Sequence, residues 1–295
     1  MNYKGDKQLQ LIAHIVMVFL SACALFPFLL LVGASFTEEK AAILNGFSII
    51  PSKLGFGAYE YIFQEFATIG RAYLITIIVT IIGTVLSVSI TTLMAYGLTK
   101  QVPGVKVLNF LLVFTMLFNG GLVPTYYVYT NLLHIQDTIW ALIIPGLLMN
   151  AFNVILVKNY FRTSIPGELI ESAKIDGAGE VKVLVRIVLP LSLPILATIG
   201  ITSAISYWND WTNGLYYLTN PKLFSIQTVL NKINENAQFL ANNSDKVMAN
   251  VDTSSLPTVT MRMAMAVLGI LPIVCIYPFF QKFFIKGITI GAVKG

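Results

Sequence analysis

The sequence predicts an all-α membrane protein of about six transmembrane helices, and three observations lead there. Hydrophobic residues make up 56% of the chain, 11% are charged, and mean hydropathy is +0.76. A soluble domain carries about 25% charged residues, so a water-soluble fold could not cover this much apolar surface. The apolar runs reach the length of about 20 residues that a helix needs to cross a bilayer. The cationic residues also sort by side. Counting crossings in order puts Lys4, Lys7, Lys100, Lys106, Lys158, Arg162, Lys174, Lys182, Arg186, Lys282, Lys286 and Lys294 on one face. Lys40, Lys53, Arg71, Lys222, Lys232, Lys246 and Arg262 fall on the other, in longer connections. The richer face is expected to be cytoplasmic. The net charge of +5 therefore follows the loops and is not a nucleic-acid signal.

Taken in order, residues 1–10 are an expected cytoplasmic N-terminus, 11–285 a six-helix transmembrane domain, and 286–295 a cytoplasmic tail. The first span is expected at 11–32. An outer loop of mixed polarity follows at 33–71, with Pro51, Gly55 and Gly57 among aromatics. The second span, 72–98, is rich in Ile, Thr and Val, and a short basic turn ends it. The third, 107–129, is interrupted by Asn119-Gly120-Gly121 and Pro124, and the fourth, 138–157, holds Pro145-Gly146. A charged inner loop covers 158–190. The fifth span is expected at 191–211, an outer loop rich in Asn and Ser at 213–257, and the last span at 261–284. Within that outer loop, 225–239 fits a short amphipathic helix with Val229, Ile233 and Phe239 on one side. Asn242-Asn243-Ser244 is read as a chance sequon. Cys23 and Cys275 lie in apolar runs without a second ligand at metal spacing, and are expected to be packing residues. Leu20-Ser21-Ala22-Cys23 matches a lipobox, but an apolar stretch follows where a polar tether belongs. The run at 11–32 also exceeds a cleavable leader's core of about 7–15 residues.

The inner loop carries the most information. Glu168, Glu171, Lys174, Asp176, Glu180, Lys182 and Arg186 stand between two strongly apolar segments. The pattern predicts two short helices. Ser164 is placed to cap the first, with Pro166 in its first turn and Glu168 near its positive end. Asp176-Gly177 breaks it, since glycine tolerates left-handed backbone. The second helix is expected to gather Val181, Leu184, Val185 and Val188 on one face, with Lys182 and Arg186 on another.

Glu171-Ser172-Ala173, then Gly177 after three residues, then Ile187 after nine, then Leu189-Pro190, resembles the EAA signature of ABC-importer permeases, with Ser172 standing where the signature has Ala. The form ESAKIDGAGE resembles the carbohydrate-importer, maltose-permease-like branch. YWNDW after the fifth span and the closing FFIKGITIGAVKG extend the resemblance over most of the chain, toward oligosaccharide permeases for alginate and rhamnogalacturonan fragments. The resemblance implies a type I importer permease fold in the bacterial cytoplasmic membrane, with both termini cytoplasmic. It implies a coupling helix seated in a cleft of a separate ATPase. Glu171, Ser172, Ala173, Asp176, Gly177, Ile187, Leu189 and Pro190 would form that ATPase-coupling element. The implied partners are a second homologous permease, two ATPase subunits that hold ATP and Mg, an extracytoplasmic solute-binding protein, membrane lipid, and a sugar or oligosaccharide. In maltose-type importers the partner permease can supply most of the sugar contacts.

No catalytic constellation is visible. The chain has no G-x-x-x-x-G-K-[ST], no H-E-x-x-H and no G-x-S-x-G, so no nucleotide site, zinc site or nucleophile elbow is expected, and no cofactor. His14 and His134 read as helix or interface residues. An intramembrane carboxylate relay, which a proton-coupled transporter needs, is missing, and Asp210 sits at an expected outer boundary. Amides and aromatics beside the helix breaks are the candidates for a substrate pathway: Asn119, Tyr126, Asn150, Asn153, Trp208 and Asn209. Neutral donors and acceptors suit hydroxyls, and ring faces suit sugar C–H surfaces. Interfacial aromatic belts and helix–helix hydrogen bonds are the competing account. Two other classes stay open: an importer permease for a peptide or amino acid, and a non-ABC membrane protein such as a secondary transporter.

Overall fold

A computed structural model describes residues 4–242 and 259–275; the expected tail at 286–295, the rest of the last span and Asn242-Asn243-Ser244 as a unit lie outside the described residues. Every regular element described is helical, and the described residues fall into two units.

The first unit holds residues 4–69, 230–242 and 259–272. It starts with α1, Lys4–Ser35, whose apolar stretch Leu9–Ser35 has mean hydropathy 2.8 and is exposed along most of its length, with only its last turn, Gly33, Ala34 and Ser35, buried. At about 1.5 Å per residue it is long enough to cross a hydrocarbon core of about 30 Å. Cys23, on this helix, is exposed, as is Cys275 at the end of the helix Val259–Cys275, so neither packs inside the chain as expected. After α1 the backbone pairs briefly with itself. The Glu38 amide donates to the Lys53 carbonyl (2.9 Å), and the Gly55 amide to that of Phe36 (2.9 Å). The helices α2 (Glu39–Asn45) and α3 (Gly57–Gln64) flank this pairing, and Tyr59 closes it by stacking on Phe36 and bonding the Ser35 hydroxyl (2.9 Å). Glu39 then caps another helix: its carboxylate accepts from the amides of Val259 (2.8 Å) and Thr260 (2.9 Å) at the start of the apolar helix Val259–Cys275. A carboxylate at a helix N-terminus satisfies orphan donors and opposes the dipole.

The second unit, residues 70–229 and 273–275, is built on α4, Phe66–Thr99, with mean hydropathy 2.4. Then come α5 (Val105–Leu117), α6 (Leu122–Tyr127, continued by a wide turn to Leu132), α7 (Trp140–Ile143), α8 (Ala151–Ser164) and α9 (Gly167–Ile175). The chain continues through α10 (Glu180–Val183), a wide turn over Leu184–Val188 and α11 (Leu189–Leu191). It ends with α12 (Leu193–Asn209), α13 (Thr212–Tyr217) and the start of α14 (Ile226–Asn242), whose residues from 230 on belong to the first unit.

Several expected spans are not straight helices. The third is bent by 120° at the Asn119-Gly120-Gly121 break, and α5 alone spans about 20 Å, too short for a bilayer. The expected fourth span, 138–157, is a correction: it is one turn of helix, an irregular stretch at 144–150, and then α8, which starts at Ala151 and runs on past Lys158 and Arg162. Pro145 removes an amide, and the Asn150 side chain caps α8 by accepting the Asn153 amide (3.2 Å), so the helix restarts there. The fifth span carries an 80° bend between α11 and α12. The amphipathic helix expected at 225–239 forms as α14, with the Thr228 amide donating to the Ser225 hydroxyl (3.2 Å) at its start.

Two buried clusters organise this unit. One joins Ala95, Tyr96 and Leu98 of α4 to Leu112, Val154, Val157, Phe161, Val183, Leu184, Val188 and Ile199. The other joins Val79 of α4 to Ala141, Leu142, Ile143, Tyr207, Tyr217, Leu218 and Phe224. A single helix thus carries both clusters, one about its middle and one toward its C-terminal end.

Candidate coupling hairpin and substrate pathway

The charged inner loop is the hairpin α9–α10. Its first helix starts after Pro166 with no side-chain cap; Ser164 instead ends α8, which corrects the expected cap. The turn follows a specific bonding pattern. The Asp176 amide donates to the Ser172 carbonyl (3.0 Å), that of Gly177 to Lys174 (3.0 Å), and that of Ala178 to Ala173 (2.9 Å). The last two bonds are the paired closures of a Schellman ending, with Gly177 at φ 80° in the left-handed position. Ile170, Ala173 and Ala178 pack onto the first cluster, while Leu169, Glu171, Ser172 and Ile175 face outward, Ile175 with 87% of its surface free.

The second helix turns differently from its expected face. Val183, Leu184 and Val188 are buried, whereas Val181 and Val185 are exposed and line an open groove with Lys182 and Arg186. The wide turn at Leu184–Val188 adds a residue to the helical repeat and rotates the following residues off a strict 3.6 period. Ile187, Leu189 and Pro190 of the signature lie at the end of that turn and the start of α11, with Leu189 packed on the cluster.

Glu180, the first residue of α10, was not singled out by its position in the signature. Its carboxylate accepts from Lys100 Nζ (2.7 Å), Lys174 Nζ (2.7 Å) and the Tyr96 hydroxyl (2.6 Å). Those bonds, Lys100 first, hold the carboxyl down to about 2 from its ordinary 4.5. The partners lie 80 or more residues back or in the preceding helix, which spacing within one loop does not reveal.

Each pathway candidate makes its own set of contacts. The Asn119 side chain accepts the Gly121 amide (2.9 Å) and shapes the α5–α6 break. Tyr126 stacks on Tyr217 (5.8 Å between centroids), which Tyr129 meets edge-on. Asn150 caps α8, and Asn153 stands one turn in, half-buried. Trp208 keeps only 6% of its surface and lies beside Tyr73 (6.4 Å), so it packs inside the chain. Asn209 is exposed, with Gln227 Nε2 3.5 Å from its carbonyl. The breaks do free backbone groups, and side chains of the same chain take them up. The Tyr207 hydroxyl donates to the Ile143 carbonyl (2.9 Å), Asn213 Nδ2 to that of Pro145 (3.0 Å), and the Ser87 hydroxyl reaches that of Leu147 (3.5 Å). Asp210 caps α13 through the Thr212 and Asn213 amides. Tyr207 and Asn213 thus tie their helices to the segment at 143–145, while the Asp210 side chain acts locally.

Among the described residues the chain is helical, with apolar helices long enough to cross a membrane, the architecture of a membrane-embedded subunit. The family model for the binding-protein-dependent transport system inner membrane component matches residues 101–290, and the chain belongs to that family. It is 39% identical to the polygalacturonan/rhamnogalacturonan transport system permease protein YtcP of Bacillus subtilis (strain 168), over 97% of each chain. Protein LplC of the same strain is also 39% identical, over 93% of this chain and 90% of its own. Among solved structures, a bacterial ABC transporter involved in the import of the acidic polysaccharide alginate contains a chain that superposes with a TM-score of 0.78 at 28% identity. That match covers 96% of this chain and 99% of the other. The fold is that of a type I importer permease, and the chain is an inner-membrane transport subunit.

Proposed function

We propose that this chain is one of two permease subunits of an ATP-driven, binding-protein-dependent importer for sugars or oligosaccharides. It forms half of the translocation pore and couples to a separate ATPase through residues 168–190. One observation carries the coupling role: the hairpin α9–α10 is packed on one side against the helical cluster, and on the other presents Leu169, Glu171, Ser172 and Ile175 outward. A rigidly backed, half-apolar helical tip fits a cleft in a partner. The carbohydrate class is supported by the relatives named for polygalacturonan, rhamnogalacturonan and alginate.

In this reading both termini and the hairpin are cytoplasmic, and ATP and Mg are held by two ATPase subunits. This chain supplies no nucleotide site, cofactor or catalytic group, and binds no nucleic acid. A binding protein delivers the sugar from outside. The solute passes Asn119, Tyr126, Asn150, Asn153 and Asn209, with Trp208 supporting the wall from within.

Purification of the tagged chain from its own membranes tests the class. A second permease, an ATPase and a binding protein carrying a sugar are expected; a binding protein carrying a peptide or amino acid would overturn the carbohydrate reading. Glu171→Lys tests the hairpin. Glu171 is placed to meet a cation of the ATPase, so reversal should cost about 2–5 kcal/mol at that contact and release the ATPase. Full retention of the ATPase would remove the hairpin from its coupling role.

A further inference from the structure

The carboxylate of Glu180 collects donors from three places: Tyr96 in α4, Lys100 just beyond it, and Lys174 in the last turn of α9. Lys100 also donates to the Tyr96 hydroxyl (2.8 Å), which closes the group into a ring of bonds. Tyr96 is 8% exposed, and its ring meets Phe161 of α8 edge-on at 6.5 Å. Otherwise α9 rests on the cluster through Ile170 and Ala173, and the turn after it through Ala178. Contacts of small apolar side chains are non-directional and let a helix slide. Charge-assisted bonds to one carboxylate fix angle as well as distance.

From these contacts we propose that Glu180 is a positioning residue that locks the coupling hairpin to α4, so that the two move as one body when the ATPase acts on α9. The proposal rests on the reading of the hairpin as the ATPase contact. The side chain of Glu180 is 51% exposed and that of Lys174 47%, so these pairs add little to folding, and their role is geometric. The lock matters because of where α4 leads. Thr76 of α4 accepts the Ile226 amide at the start of α14 (2.9 Å), and Ser87 reaches the Leu147 carbonyl in the broken segment. A displacement of α9 thus reaches the helix breaks through a single continuous helix.

The test uses the whole importer with Cys23→Ser and Cys275→Ser, spin-labelled at Val181→Cys and Leu93→Cys. In the parent, one narrow distance should persist between the nucleotide-free and the ATP–vanadate-trapped states. Glu180→Ala should make that distance differ between states, and the complex's own binding protein should stimulate ATP hydrolysis about fivefold less or worse. Tyr96→Phe, which keeps the ring against Phe161, should move both readouts the same way, and Glu180→Asp should restore part of each. A state-dependent distance in the parent, or parental distance and stimulation in Glu180→Ala, overturns the proposal. Glu171→Lys run alongside separates the two readings. If it releases the ATPase while Glu180→Ala behaves as the parent, only the lock falls; if it releases nothing, the coupling role of the hairpin falls first.

Discussion

The hairpin at 167–191 and the broken segment at 140–164 interrupt apolar sequence in the same way. Each places a glycine in the left-handed region, Gly177 at φ 80° and Gly146 at φ 69°. They differ in where the freed backbone groups find partners. The hairpin closes within itself: the amides of Gly177 and Ala178 return to carbonyls of α9. The broken segment borrows its donors from Tyr207, Asn213 and Ser87, all 60 or more residues away. A locally closed turn can face a partner without its own packing. A turn closed at long range is tied to the packing of three other helices, so mutations of the residues that close it should act on the fold before they act on transport.

Trp208→Ala gives the largest expected effect. The ring is buried, and truncating a buried Trp costs about 3–5 kcal/mol. Thermal unfolding of the purified chain should shift strongly, and assembly with it. Asn153→Ala should leave stability near parental, because no bond of its side chain to another element is needed to start α8; a fall in transport there, with assembly intact, would support the pathway. Transport by Asn153→Ala equal to the parent would remove it from the pathway.

Gly83→Ala comes next. An added Cβ would meet the Tyr207 ring at 2.5–2.7 Å, and that ring cannot yield without losing its bond to the Ile143 carbonyl. Overpacking of this kind costs about 1–3 kcal/mol. Gly200→Ala is the control, since its Cβ meets only Val88 at an ordinary 3.8 Å. Equal melting temperatures for the two variants would break the contrast.

Gly177→Val probes the local turn. Nothing lies within 4 Å of the added Cβ, so the cost is backbone strain alone, about 1–2 kcal/mol. The loss should appear as weaker ATPase binding with nearly parental melting. A collapse of the whole chain would mean that the hairpin is tied to the fold more tightly than its contacts imply.

These differences also explain what the sequence made legible. The apolar runs, the Asp176-Gly177 turn and the signature offsets are local patterns, and each depends on neighbours a few residues away. The bend at Asn119-Gly120-Gly121 was readable as a break but not as a 120° change of direction, which packing decides. The break in the expected fourth span was not legible as such, because Pro145 and Asn150 look tolerable in a membrane helix until Tyr207 and Asn213 offer the carbonyls a partner. The burial of Trp208 does not show in a YWNDW string. Glu180 read as one charge among several, since Tyr96 and Lys100 belong to another helix and its flank.

The smallest expected effect concerns pH. The carboxyl of Glu180 sits at about 2 against an ordinary 4.5, through bonds from Lys100, then Lys174, then Tyr96. A depressed carboxyl stabilises the folded chain fully above about 4.5 and loses that contribution as pH falls toward 2. Half of the side chain is in water, so screening keeps the amount within about 1 kcal/mol. The parent and Glu180→Gln should therefore differ by a small, constant amount in unfolding measurements from pH 8 to 5. The gap should close between 4.5 and 2, where the parent's carboxyl becomes neutral like the amide. High salt should narrow the gap at neutral pH. A gap that widens on acidification, or persists unchanged to pH 2, would show that the carboxylate is not held by these three donors in the folded chain.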